Sequence, residues 1–353
     1  MLNIVRLGAA AALVFASSWA LAQAQSSDIT LKVSSPGGPP TDIRKKYTAS
    51  LFTLRTGIKV QFIDGNNPDH LAKLIASKGR TPPYDVVMFD RSSQGDAIRQ
   101  GVLQKLDPKL VPNLKDIYPQ ALRSDGYGPV YHTLQRGIIF NAAKFKEAGI
   151  PEPTSWLDLW DPRLAGKVTV PHLTQANGPG FLIQINRVVG GTEANVEPGI
   201  RKIAELKVHS YYTSTVQTEA LVSSGEVWAA NIPSGRAWGL IDKGLPVKFV
   251  VPKEGSVGNL STVDVVANTP YPKEAQAFVN AVLDPLSQLG TAFELSYGPV
   301  TRLLEPALAA HPEISKRFPA NEKEFAQIFE PDWDQYARRH RAALDLWNRI
   351  VRQ

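Results

Sequence analysis

The stretch VYHTLQRGIIFN, Val130 to Asn141, decides how this chain is divided. It is rich in β-branched and aromatic residues and free of proline, which reads as one long strand. Before it, DITLKVSS (Asp28–Ser35), IKVQFID (Ile58–Asp64) and YDVVMFD (Tyr84–Asp90) also read as strands. Between and after them, PGGPPTDIRKKYTASLFTLRTG, NPDHLAKLIASKG and SSQGDAIRQG read as turns and helices, the second helix capped by Asn67 or Asp69. That β-α-β-α-β order implies a mostly parallel sheet covered by helices on both faces. Beyond Asn141 a second α/β series begins. KVTVPH, GEVWAANIP and PVKFVVPKEG supply strands, and Ser155, with Asp158 three residues on, can cap a helix. LSTVDVVAN, Leu260–Asn268, is the second long strand. The chain therefore leaves its first unit near residue 130 and returns near residue 260. Two crossings make a hinged pair of lobes with a cleft between them.

The ends of the chain set its expected address. MLNIVRLGAAAALVFASSWALAQAQ has Arg6 in a basic start, an apolar run from Leu7 to about Phe15, and the small-residue site Ala20-Leu21-Ala22. This reads as a cleavable signal peptide over residues 1–22, because the apolar run is shorter than the ~20 residues that span a bilayer. The sequence has no cysteine, which removes disulfides, thiolate chemistry and a lipid-bearing cysteine. A periplasmic protein, secreted and not a lipoprotein, is expected. The formal charge is +6, but the basic residues are scattered, so nucleic acid is not an expected partner. The exception, YARRHRAALDLWNRIVRQ, carries Tyr336, Ala343, Leu344, Trp347 and Ile350 at helical spacing and reads as a surface helix with one apolar face.

Several stretches in order resemble the extracellular solute-binding proteins of bacterial ABC importers, in the branch around the spermidine/putrescine-binding and ferric-iron-binding proteins. They are TGIKVQF, YDVVMFD followed by GVLQKLD, SWLDLWDPRLAGKVTV (Ser155–Val170), PVKFVVPKEG, YPKEAQAFVNAVLDP and YGPV. The resemblance covers nearly the whole chain after residue 22. It implies a type II periplasmic binding protein fold, two α/β lobes joined by two crossing strands, whose cleft closes on a small-molecule solute and presents it to an inner-membrane ABC permease. The expected division is 1–22 signal peptide, 23–130 first lobe, 131–258 second lobe, and 259–353 the return strand, the rest of the first lobe and C-terminal helices. A monomer without cofactor or metal is expected.

The cleft of such a fold is lined by loops at the carboxyl ends of strands, where helix N-termini leave free N–H groups. Four turns qualify: SSPGGPP, FDRSSQG, TQANGPG and NIPSGRAW. They make Ser34, Ser35, Asp90, Ser92, Asn177, Ser234 and Arg236 candidate ligand-binding residues, with Arg136, Ser261, Thr262 and Tyr297 from the crossings and beyond. The resemblance implies acidic residues and aromatic rings in a polyamine site, yet this chain has Asn259 and Ser261 where an aromatic and an acid stand, and no acid in LTQANGPG. Iron binders of the branch use adjacent tyrosines after the strand matching EVWAANIP, where Pro233 and Ser234 stand. Tyr211-Tyr212 lies upstream and reads as structural, and the six histidines are isolated.

The remaining donors favour a carboxylate, a phosphonate or a zwitterion, with polyamine binding as the alternative, because a guanidinium binds an acid group through paired bonds. A surface ion pair is the competing role for Arg236 and for Arg136. Asp90 could pair with an arginine, cap the helix at Ser92-Ser93, or bind an amino group. Enzyme chemistry is not expected: NIPSGRAW lacks the glycine two residues before a nucleophilic serine, the turns lack paired carboxylates, and no phosphate-cradling Gly-rich loop ends in Lys-Ser/Thr. Import and ligand sensing remain equally compatible with the sequence.

Overall fold

Two sheets that share no strand organise the molecule. A computed structural model describes residues 28–351, so the expected signal peptide lies outside the described residues. In chain order the strands are β1 (Thr30–Ser35), β2 (Lys59–Asp64), β3 (Val86–Asp90), β4 (Leu103–Gln104), β5 (Val130–Leu134), β6 (Arg136–Asn141), β7 (Val168–Pro171), β8 (Ser210–Tyr212), β9 (Ala229–Pro233), β10 (Val247–Val250) and β11 (Asn259–Val266). The first sheet has the order β2-β1-β3-β11-β4, with β5 also paired to β11; the second runs β10-β6-β9-β7-β8. β3 is buried from Val86 to Phe89, as a central strand with an unbroken apolar run should be. In β1, Leu31 and Val33 are buried while Lys32 between them is exposed.

Both sheets are mixed. β1 is parallel to β2 and β3, whereas β11 runs antiparallel to β3, β4 and β5. The mostly parallel arrangement expected of the first unit therefore holds only for β1–β3. β11 arrives from the second unit at the edge where β3 ends, pairing Ser261 with Asp90, and so can only run back against it.

The crossings refine the sequence reading. The run Val130–Asn141 breaks at Gln135, which leaves β5 in the first sheet and β6 in the second. LSTVDVVAN is not itself a crossing, because β11 lies wholly in the first sheet. Residues 251–258 make the second crossing instead, where Pro252 lacks a donor and Gly255 has a positive φ of 80°, so a ladder strand is not available. A third segment runs beside it: Gly258 N–H donates to the Phe329 carbonyl at 2.9 Å, and Phe329 N–H to the Ser256 carbonyl at 3.2 Å.

The segment that resembles the binding-protein motif anchors the start of the second crossing. Ser155 and Asp158 form the expected capping box, on a 3₁₀ turn rather than an α-helix. Ser155 Oγ donates to Glu254, and Trp156 Nε1 to the Gly255 carbonyl at 2.9 Å. The C-terminal helix His340–Ile350 buries Ala343 and Trp347, four residues apart, on the second unit. Trp347 meets the rings of Tyr211 at 5.3 Å and His172 at 5.5 Å.

Candidate functional site

The four turns stand at strand ends that the topology makes neighbours. β1 and β3, adjacent in the first sheet, lead into SSPGGPP and FDRSSQG; β7 and β9, adjacent in the second, lead into TQANGPG and NIPSGRAW.

On the first side, most candidate hydroxyls serve the scaffold. Ser34 is buried and its Oγ accepts the Met88 N–H at 2.9 Å. The hydroxyls of Ser35 and Thr41 bond each other, and Thr262 Oγ1 reaches the Phe89 carbonyl at 3.5 Å. Asp90 takes the capping role among the three open to it. Its carboxylate accepts from Ser93 N–H at 2.7 Å, from Ser92 Oγ at 2.7 Å and from Asn67 Nδ2 at 2.9 Å. Asn67 therefore does not cap its own helix; Asn66 does, accepting the Asp69 N–H at 2.9 Å. Ser261 sits opposite Asp90 in the β3–β11 register.

On the second side, Arg136 is 4 % exposed. Its Nη1 donates to the carbonyls of Val257 and Gly258, and its Nε has no hydrogen-bond partner. The guanidinium lies against the first turn of the Gly178–Val188 helix, so close that a Cβ on Gly180 would come within 2.6 Å of its Cζ. Burial pushes Arg136 down to about 10, with Tyr212 and Asp90 pulling the other way, so it stays cationic at neutral pH. Among the described residues no carboxylate comes within ion-pair distance of it. Asn177 is buried, and the Tyr212 hydroxyl donates to the Asn231 carbonyl at 3.1 Å. Tyr211 and Tyr212 are thus packing residues of the second unit.

Ser234 closes around the first crossing: its N–H donates to the Gln135 carbonyl at 2.8 Å and its Oγ accepts the Gln135 N–H at 3.3 Å. Arg236 is half-exposed and pairs with Glu219 at 3.1 Å, the arrangement weighed against ligand binding in the sequence. Tyr297 is half-buried and bridges the units, because a Cβ on Gly235 would meet its Cε1 at 2.7 Å. Trp238 lies under the Arg317 guanidinium at 4.9 Å rather than among these groups.

Two residues at this junction escaped the sequence reading, Arg44 and His132. Arg44 lies in IRKK, one of the scattered basic fragments, and His132 is one of six isolated histidines, so neither carries a local signal. A groove of about 820 Å³ lies along the crossings, lined by Gln135, Lys253, Ser256 and Ile328 among others. Gln135, at the break between β5 and β6, lines that groove, while the Arg136 guanidinium lies against Gly180. Among the described residues no cluster of three or more His, Asp or Glu side chains is placed to hold a metal ion, and no helix is long and apolar enough to cross a membrane.

Comparison with known proteins gives this geometry its context. The family model described as bacterial extracellular solute-binding protein matches residues 42–317. The spermidine/putrescine-binding periplasmic protein 1 of Haemophilus influenzae is 25 % identical over 271 residues, 75 % of this chain and 74 % of that protein. The putrescine-binding periplasmic protein SpuD of Pseudomonas aeruginosa is 26 % identical over 333 residues, 86 % of this chain and 88 % of that protein. Among solved structures, an ABC transporter protein from Clostridium perfringens superposes with a TM-score of 0.76 at 25 % identity, covering 91 % of this chain and all of that one.

Proposed function

The chain belongs to the family of bacterial extracellular solute-binding proteins, and from that premise we propose that it captures a small acidic or zwitterionic solute between its two units. The family and its periplasmic relatives support its reading as the solute-binding component of an ABC importer. Contacts to both units favour the closed form, which then meets an inner-membrane permease; rotation occurs about the crossings at Gln135 and residues 251–258.

The observation that carries the ligand class is Arg136. A buried guanidinium without a carboxylate partner is costly, and here it faces the positive end of a helix dipole. Two positive features pressed together are relieved by an anion bound between them. A carboxylate or phosphonate supplies that charge and accepts from Nε. The ammonium of a zwitterion has Asp90 as its acidic neighbour, already partly satisfied by its three donors.

A second reading is favoured by the names of the relatives, which bind spermidine and putrescine. Against it stands the scarcity of acids at the junction. Solute released by denaturing protein purified from a bacterial periplasm, identified by mass spectrometry, separates the two. An acid or amino acid supports the first reading, and a polyamine overturns it.

A further inference from the structure

Arg44, in the short helix Pro39–Arg44 that follows β1, is 4 % exposed. Buried arginines nearly always carry an acidic partner. Arg44 has none among the described residues. Its Nη2 donates to the Tyr131 hydroxyl at 2.5 Å and its guanidinium lies 5.3 Å from the Tyr131 ring centre, while Nε and Nη1 have no partner at all.

The surroundings repeat the pattern. His132 packs between Tyr131, at 4.3 Å, and Tyr297, at 4.6 Å, and its Nδ1 is buried and unpartnered. Burial, and then the charge of Arg44, hold its imidazole well below the usual histidine range, so it is neutral. Burial raises the Tyr297 phenol, and both Arg44 and Arg236 oppose that rise, which places a positive charge from each unit near one hydroxyl. The start of the Ser234–Asp242 helix rests on the same ring through Gly235. Its first turn, where the Ser234 N–H is held by the Gln135 carbonyl, adds a positive dipole end. Glu219 answers Arg236. Among the described residues no carboxylate answers Arg44.

We propose that Arg44 anchors the acid group of the solute from the first unit's side of the junction, with Tyr297 and the Ser234–Asp242 helix start closing over it. The proposal rests on the acidic-solute reading given above and adds to Arg136 a second arginine, from the first unit, that holds the acid. An ammonium brought here would meet a guanidinium and a neutral imidazole, whereas a carboxylate or phosphonate oxygen would meet free N–H donors.

The test uses the full-length secreted protein, refolded from denaturant to remove solute. It is titrated with acetate, methylphosphonate and inorganic phosphate at constant ionic strength while Tm is followed. The expected result is a saturable rise for at least one acid in the wild type, at least about tenfold weaker in Arg44→Gln, with a solute-free Tm unchanged or raised because an unpaired buried charge is gone. If Arg44→Gln does not fold, Arg44→Lys carries the test: its response is expected to be weaker, and an undiminished one overturns the proposal. A response kept in Arg44→Gln but lost in Arg136→Gln overturns the assignment to Arg44 and leaves the acidic-solute reading standing. No response to any acid in the wild type overturns both.

Discussion

Arg136 Nη1 donates to the carbonyls of Val257 and Gly258, at 3.1 Å each, so a side chain rooted beside the first crossing grips the end of the second. Its backbone N–H reinforces the grip by donating to Ser256 Oγ at 2.8 Å. The same guanidinium holds its buried, unpartnered Nε against Gly180. If solute binds at Nε as proposed, its binding and the relative position of the crossings are linked through one planar group.

That link predicts the outcome of Arg136→Gln. A hydrogen bond to a charged group contributes about 1.5–3 kcal/mol, so solute affinity should fall by roughly tenfold or more. Calorimetric titration of wild type and variant checks it. Equal affinities would make Arg136 a hinge clamp alone.

Gly180→Ala tests the close approach from the other side. The new methyl must displace the guanidinium, since it would lie 2.6 Å from Cζ. Overpacking of this kind costs about 1–3 kcal/mol, and binding should weaken with it. Urea unfolding read beside solute titration reports both, and an unchanged unfolding midpoint would show that the arginine moves freely.

Asp90 separates the two ligand classes. Asp90→Asn keeps the helix cap, so stability should change by well under the ~1 kcal/mol of a lost cap. Removing a carboxylate should leave the affinity for a simple acid equal or higher. A polyamine site would lose affinity instead, and that loss is what titration of the variant would detect.

Asp264 predicts a pH dependence of folding. It is fully buried, accepts from Gln94 Nε2 at 2.8 and 2.9 Å and from Gly128 N–H at 2.9 Å. Burial pushes its carboxyl up to about 6, against those hydrogen bonds and the charge of Arg91. The folded value lies above the ordinary 3.8, so the folded state holds the proton more tightly. Its contribution is full below about pH 4 and is lost as pH rises to about 6. The difference in urea midpoint between wild type and Asp264→Asn should change across that window and be flat above it. A constant difference from pH 4 to 7 would contradict the assignment.

The C-terminal helix offers a test of packing. Trp347 is 2 % exposed against Tyr211 and His172, and Trp347→Ala should cost about 3–5 kcal/mol. A loss under about 1 kcal/mol in chemical denaturation would mean that the helix does not hold the second unit.

Much of this architecture is legible in the sequence because strands such as VVMFD and the face of Ala343 and Trp347 carry their burial in their spacing. The break at Gln135 is not legible, since each flank alone has strand character and only the two sheets divide it. The antiparallel course of β11 likewise depends on where the returning chain enters, which no local pattern records. At the site, Arg136 stood out as a charge inside an apolar strand. Arg44 did not, because a basic residue in IRKK looks like helix surface until Tyr131 covers it.

The proposed function places an acidic or zwitterionic solute in one closing site. It is tested most directly by calorimetric titration of refolded, solute-free protein with carboxylates, phosphonates, amino acids, putrescine and spermidine. One saturable site per chain is expected for an acid or amino acid, with no saturable heat from either polyamine. Saturable binding of spermidine or putrescine alone would contradict it.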